Sequence, residues 1–211
     1  MKPENVTGCF PQGPQPAASR DKGARLPMRI VAAGVWMLLV AAGLIAQQPG
    51  PSEFQIKAAY IYNFGKFVKW PAVAPANQSG SFTICVLDGD PFGATLGSTL
   101  AGETVGGKPV AVKRIEKAQG ASVCHILFIG STQGKDLKGI LSALDADAVL
   151  TVSDIPDFSK RGGMIQFVPE GDRIRFEINL EGAEKSHLIF PSELLKVAVA
   201  VKKAAGSGDG Q

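Results

Sequence analysis

The chain has 211 residues, of which 45% are hydrophobic and 19% charged, with 25 glycines and 14 prolines. That length can bury the core of one domain with extensions, and the composition excludes collagen-like, repeat-array and wholly disordered proteins. The formal net charge of +3 belongs to residues 1–29, because residues 30–211 carry equal numbers of acidic and basic side chains. A balanced body does not attract a phosphate backbone, so nucleic acid is not expected as a partner.

The N-terminal region has the pattern of an export signal. Residues 1–27 are rich in glycine, proline, glutamine and alanine and show no apolar period, which predicts a disordered extension. Met28-Arg29 is followed by an uncharged apolar run over residues 30–46. A positive flank and such a run predict that residues 28–46 are a signal peptide and that the domain is exported. Two alternatives stay open: residues 30–46 form an uncleaved transmembrane helix that anchors the chain in the inner membrane, or Met28 is the true start.

The first element predicted after this leader is a helix that begins at Ser52 and ends before Trp70-Pro71. Ser52 is a suitable N-cap, and proline disfavours helical geometry in the residue before it. Apolar side chains recur along the segment at helical steps of three and four: Ile56, Tyr60, Ile61, Phe64, Phe67 and Val68. Tyr62 and Trp70 fall off this stripe, so they are candidate anchors for a dimer or partner contact, or else further core residues.

The segments that follow alternate between apolar runs and helical patterns. Apolar runs predict strands over Phe82–Leu87, Val110–Ile115, Cys124–Ile129 and Ala148–Val152. Helices are predicted near Phe92–Leu100, Gly134–Leu144, Glu181–Ser186 and Ser192–Lys203, and a β-hairpin over Gly162–Ile178. Residues 204–211 are expected to be a disordered tail. The order predicts an α/β fold over residues 50–203, a three-layer domain with a mixed, mostly parallel sheet and an antiparallel edge hairpin.

The second strand of the predicted hairpin carries charged side chains at every other position. Arg173, Arg175 and Glu177 alternate with apolar residues, so the three share one face of the sheet. That face is either solvated or a polar surface that contacts a partner. A different candidate is a small-ligand crevice at the carboxyl ends of the parallel strands, near Asp88 and Ser153-Asp154.

No arrangement of residues indicates catalysis. The chain has 2 histidines, and no nucleophile can be paired with a base in the predicted elements. No spacing of cysteine, histidine and carboxylate residues matches a metal site. We therefore expect no catalytic residue, no metal and no cofactor, and we predict that the protein is not an enzyme.

Two cysteines remain in the exported domain, because Cys9 belongs to the N-terminal extension. An even number of cysteines in an oxidising compartment predicts a disulfide between Cys85 and Cys124. Both lie on predicted strands, and neighbouring strands bring Cα atoms to about 4.5–5.5 Å, within the range that a disulfide accepts. The alternative is two free buried thiols that behave as small apolar side chains.

Seven blocks, in order along the chain, carry a resemblance to a known family. They are Ala58–Phe64 with Phe67–Pro71, Ile84–Leu87, Asp90–Gly93, Cys124–Ile129, Val149–Asp154, Gly162–Ile165 and Arg173–Leu180. On these blocks the chain resembles the YfiR family, which is defined by the DUF4154 domain. Members of that family carry cysteines in the blocks of Cys85 and Cys124, which adds to the expected disulfide. Some members have a second cysteine pair, which this chain lacks.

The resemblance implies a periplasmic regulator. Such a regulator binds the periplasmic domain of a membrane-bound diguanylate cyclase and represses it. Redox change, or capture by an outer-membrane lipoprotein, releases the cyclase, raises cyclic di-GMP and favours biofilm. The resemblance also implies a homodimer. Two alternatives from other classes are a periplasmic small-ligand-binding module and, with less support from the residues, a hydrolase.

Overall fold

An eight-stranded sheet forms the middle layer of this computed structural model, which describes residues 50–144 and 147–203. In chain order the strands are β1 (Phe82–Leu87), β2 (Thr104–Val105), β3 (Lys108–Ile115), β4 (Ile126–Ile129), β5 (Leu150–Ser153), β6 (Ile165–Glu170), β7 (Arg173–Asn179) and β8 (Ala200–Lys202). Across the sheet their order is β2-β3-β1-β4-β5-β6-β7-β8. The predicted extension, signal peptide, anchor, start at Met28 and tail lie outside the described residues.

Parallel pairing dominates the sheet. Strands β3, β1, β4, β5 and β6 pair in parallel, and antiparallel pairs join β2 to β3 and β6 to β7. Strands β1, β4 and β5 are buried along their whole length, as expected for strands covered on both faces. The predicted fold class, a three-layer α/β domain with a mixed, mostly parallel sheet, is confirmed.

The hairpin of β6 and β7 forms where the sequence predicts it. Gly171 has a φ of 58° in the two-residue connection between the strands, a conformation that glycine adopts without steric cost. Phe167 lies opposite Phe176, and both side chains are buried on the same face of the sheet. The turn and this aromatic pair together fix the register of the hairpin.

Helices cover both faces of the sheet. They are α1 (Glu53–Phe67), α2 (Ala94–Thr99), α3 (Leu137–Ser142), α4 (Leu180–Lys185) and α5 (Ser192–Val197). Buried side chains of α1, α2, α4 and α5 share one apolar cluster with one face of the strands. Side chains of α3 and of the 3-10 segment Ala118–Val123 pack with the other face in a second cluster. None of the described helices is both long and apolar enough to cross a membrane.

The start of α1 is fixed by a capping box. The Ser52 side chain accepts a hydrogen bond from the Gln55 N–H at 3.3 Å, and the Gln55 side chain accepts one from the Ser52 N–H at 2.7 Å. These bonds satisfy N–H groups that a helix start leaves unpaired. The predicted N-cap is confirmed, and α1 ends at Phe67, just before Trp70-Pro71.

The C-terminal segment differs from the prediction. The helix expected over Ser192–Lys203 ends at Val197, and Ala200–Lys202 form strand β8, which pairs in parallel with β7. Val201 lies beside Ile178 and packs against the larger apolar cluster. The alternating Ala-Val-Ala-Val sequence suits a pleated, half-buried strand, and docking on the open edge of β7 decides its conformation.

Candidate functional site

The outer face of β7 carries the charged residues that the sequence singles out. Arg173 is exposed, and Arg175 and Glu177 are half-buried. Arg175 forms an ion pair with Glu170 of β6 at 3.2 Å. Glu177 accepts a hydrogen bond from the Ser159 hydroxyl at 2.8 Å. The structure therefore places Arg173 and Arg175 at the solvent-facing part of the strand and holds Glu177 against a loop.

The first half of β7 has an open edge. Strand β8 pairs only with Glu177–Asn179, and the Val199 N–H donates to the Phe176 carbonyl at 3.0 Å. Backbone groups of alternate residues point to the same side of a strand, so the N–H and C=O of Ile174 point to the same edge as the Phe176 carbonyl. In the described part of the chain no strand pairs with Ile174 on that side. This segment is therefore an open strand edge.

A groove lies along this edge, between the hairpin and α1. Its volume is about 360 Å³, and it is lined by Ile56 and Tyr60 of α1, by Asp172 of the hairpin turn, and by Arg173, Ile174 and Arg175 of β7. The Tyr60 ring packs against Phe176, with the ring centroids 5.4 Å apart. The groove therefore combines apolar side chains of α1, an open strand edge, and a charged part with two arginines and one carboxylate.

Tyr62 and Trp70 do not contribute to this groove. The Tyr62 hydroxyl donates to the Thr104 carbonyl of β2 at 3.2 Å, and β2 lies six positions across the sheet from β7. The nearby Glu103 carboxylate raises the pKa of the Tyr62 phenol. The aromatic residue of α1 that meets the hairpin is Tyr60, which the sequence pattern assigns to the core. The partner-binding roles of Tyr62 and Trp70 stay predictions.

Trp70 belongs to a cluster at the amino end of β1 and β4. Its indole N–H donates to the His125 carbonyl at 3.2 Å, and its ring meets Phe82 edge-on with the centroids 5.3 Å apart. The His125 ring stacks on Phe82 at 4.2 Å. The indole therefore closes one end of the main apolar cluster and has its polar atom satisfied, as a half-buried tryptophan requires.

His125 is held neutral inside this cluster. Its side chain is 1% exposed, and its Nδ1 accepts a hydrogen bond from the Thr83 N–H at 3.0 Å. The proton therefore sits on Nε2, which donates to Asn77 at 3.3 Å. Burial, together with the charge of Lys108, lowers the pKa of His125 to about 4. The imidazole is a structural acceptor at neutral pH and carries no charge.

This neutral histidine predicts a loss of stability in acid. Because the pKa of His125 is lower in the folded state than in the unfolded state, the contribution is complete above about pH 6.5 and is lost as the pH falls towards 4. Between pH 7 and 4.5 we expect a loss of about 2 to 3 kcal/mol from this residue. Urea unfolding of His125→Asn should show a correspondingly flatter pH dependence than the unmodified protein. An equally steep pH dependence in His125→Asn and in the unmodified protein would contradict the assignment.

The structure joins Cys85 and Cys124 in a disulfide, with Cα atoms 5.9 Å apart and a sequence separation of 39. Cys85 lies in β1, and Cys124 lies two residues before the start of β4. Both are fully buried in the second apolar cluster, between the sheet and the 3-10 segment Ala118–Val123. The bond ties that segment to the centre of the sheet.

The carboxyl ends of the central strands are closed by an ion pair. Lys57 of α1 is 3% exposed, and its ammonium group lies 2.8 Å from Asp154 and 2.6 Å from Glu53. Ser153 is buried and donates to the Ile129 carbonyl at 2.6 Å. The Lys57 side chain therefore occupies the space beside Asp154, and the small-ligand crevice near Asp88 and Ser153-Asp154 stays a prediction. Within residues 50–144 and 147–203, no group of three histidine, cysteine or carboxylate side chains is placed to hold a metal ion.

Comparison with known proteins identifies the family. A family model, DUF4154, described as YfiR/HmsC-like, matches residues 54–199, which is more than half of the chain. The chain belongs to the YfiR/HmsC-like family. This confirms the resemblance seen in the seven sequence blocks. YfiR/HmsC-like proteins are regulators of the periplasm, and that general role is the one that membership supports for this chain. No protein of curated function matches it in sequence.

A solved structure shares the fold of this YfiR/HmsC-like chain. The crystal structure of a conserved domain protein from Vibrio cholerae O1 biovar eltor matches with a TM-score of 0.51 and 12% identity. The match covers 72% of this chain and 60% of the Vibrio chain, so it spans less than two thirds of the latter. At this identity the likeness bears on the fold alone.

Proposed function

We propose that this chain represses a membrane-bound diguanylate cyclase by binding the periplasmic sensor region of that enzyme. The groove between α1 and the open edge of β7 is the observation that supports this proposal, and it is the surface to which we assign binding. Family membership supports a periplasmic regulator in general, and a regulator of a membrane enzyme needs a surface for a protein segment. Capture by an outer-membrane lipoprotein that competes for the chain would release the cyclase, and a homodimer would present two grooves.

The chemistry of the groove suits an extended segment. A peptide strand added beside Ile174 would pair with its free N–H and C=O, as in β-strand addition. Ile56, Tyr60 and Ile174 would contact apolar side chains of such a segment. Arg173 would contact carboxylates on it, and Arg175 would do so in exchange for its ion pair with Glu170; charge-assisted hydrogen bonds from arginine are stronger than neutral ones. An acidic, apolar, extended stretch of the cyclase is therefore the expected occupant.

Repression requires more than contact. A bound protein shifts an enzyme towards its inactive form only when it binds that form more tightly than the active one. Repression therefore requires that the sensor segment of the cyclase exposes its strand edge in the inactive state of the enzyme and not in the active state. Redox change is less suited to control this groove, because Cys85 and Cys124 are buried in the other apolar cluster.

Charge reversal in the groove tests the proposal. Arg175→Glu should lower capture of the cyclase from a native envelope extract at least tenfold, since it repels the acidic segment. In cells that lack the chain, cyclic di-GMP should be elevated, and the unmodified protein should restore the low level while Arg175→Glu does not. Lys113→Glu, an equal reversal at an exposed position of β3, should capture and repress normally.

Two outcomes would contradict the proposal at different levels. If the extract yields no membrane-bound diguanylate cyclase and deletion leaves cyclic di-GMP unchanged, the repressor function is wrong. If a cyclase is captured equally by Arg175→Glu and Lys113→Glu, the function stands and the groove is the wrong surface.

A further inference from the structure

A cavity with apolar walls lies beside the last turn of α1, where β1 begins. Its volume is about 280 Å³, and the turn that joins β2 to β3 borders its mouth. The apolar walls are the side chains of Val68, Trp70, Phe82 and Val105. The Phe82 ring meets Trp70 edge-on and stacks on His125, so three aromatic rings form one side of the cavity. The space is open, and its walls are held by contacts already present in the fold.

The polar atoms of these walls are bonded to one another. The Trp70 indole donates to the His125 carbonyl, and the imidazole of His125 is bonded at both nitrogens, to the Thr83 N–H and to Asn77. The Asn77 amide donates to the Pro71 carbonyl at 2.9 Å. A ligand in the cavity therefore meets rings and aliphatic carbons on this side, which favours an apolar group there.

Lys108 brings a positive charge to the cavity. Its half-buried ammonium donates to the Asn77 carbonyl at 2.6 Å, which uses one of three N–H groups and supplies no counter-charge. No carboxylate of the described residues forms an ion pair with it. The charge reaches the neighbouring ring, because burial first and then Lys108 lower the pKa of His125. Lys66 also lines the cavity and no carboxylate does, so a bound carboxylate would give Lys108 the partner that it lacks.

We propose that this cavity binds a small aromatic carboxylate, whose ring packs against Trp70 and Phe82 and whose carboxylate contacts the ammonium of Lys108. Aromatic rings pack favourably edge-on and offset against one another. The volume lies just below the usual range of ligand pockets, which fits a single ring and not a larger ligand. The cavity shares no residue with the groove, so this site does not depend on the cyclase proposal.

Calorimetric titration of the purified protein tests this site with three probes. Benzoate should bind, and two partial ligands should each bind at least tenfold more weakly: acetate, which has the charge without the ring, and benzyl alcohol, which has the ring without the charge. Lys108→Gln should weaken benzoate binding at least fivefold, and a glutamine amide still offers an N–H to the Asn77 carbonyl. Lys113→Gln, at an exposed position of the same strand and outside the cavity, is the matched control.

The emission of Trp70 reports where benzoate binds. The chain has two tryptophans, so in Trp36→Phe the only remaining one is Trp70, which lines the cavity. Benzoate should change the emission of this variant, with the same midpoint concentration as in the calorimetric titration. Acetate at that concentration should leave the emission unchanged.

Several results would overturn the proposal. Failure of benzoate to bind the unmodified protein is one, and benzoate binding without a change in Trp70 emission is another, since the ligand would then lie elsewhere. Equal affinity for benzoate and acetate would remove the role of the ring, and equal affinity for benzoate and benzyl alcohol would remove the role of Lys108. Equal weakening by Lys108→Gln and Lys113→Gln would show general charge attraction. The comparison of probes and the emission of Trp70 decide the question even if Lys108→Gln does not fold.

Discussion

Replacing both disulfide cysteines with alanine is expected to lower the free energy of unfolding by about 4 kcal/mol. Cys85 and Cys124 close a loop with a sequence separation of 39 residues, and closing such a loop removes conformational freedom from the unfolded chain. Both side chains are fully buried, so the substitution also removes packing atoms from the second apolar cluster. A loss of this size is a large fraction of the stability of a typical domain.

Urea unfolding of the oxidised protein and of the double variant measures this loss. Adding a thiol reductant should destabilise the unmodified protein and leave the double variant unchanged, which separates the bond from the packing of the cysteines. A difference below about 1 kcal/mol between oxidised and reduced protein would contradict a structural role for the bond. The groove between α1 and β7 lies in the other apolar cluster, so partner capture by reduced but folded protein should be unaffected.

Local signals made much of the fold predictable. The Ser52 capping box, the stop before Pro71 and the hairpin turn at Gly171 each depend on residues close together in sequence. The buried strands were visible as apolar runs, because a parallel sheet covered on both faces leaves little room for polar side chains. Strand β8 was missed for the opposite reason. Its conformation depends on the open edge of β7, more than 20 positions earlier in the chain.

The candidate site was only partly predictable for a similar reason. Side chains along a strand alternate between its two faces, so the sequence of β7 alone indicates that Arg173 and Arg175 share a face. Tyr60 was counted as core because it sits on the apolar stripe of α1. Its ring does pack on Phe176, but its helix also borders the groove, and this depends on a contact between distant segments.

Asp154→Asn is expected to lower the free energy of unfolding by about 3 kcal/mol, because it leaves the buried Lys57 ammonium with one carboxylate. That carboxylate, Glu53, is more than half exposed and screened by water, so it compensates poorly. Asp157→Asn is the matched control, since the Asp157–Lys160 pair has a similar length of 2.7 Å but lies on the surface. It should leave stability without measurable change. Chemical unfolding at pH 7 compares the two variants.

Alkaline pH provides a second test of the same pair. Burial lowers the pKa of Lys57, but hydrogen bonds and charges from Asp154 and Glu53 outweigh it, and the pKa lies above its usual 10.5. The contribution of Lys57 is therefore complete below about pH 10.5 and is lost as the pH rises through the higher folded value. Lys57→Met/Asp154→Asn should remove this alkaline decline and recover most of the stability that Asp154→Asn loses. A double variant no more stable than Asp154→Asn would show that Asp154 acts through something other than the buried charge.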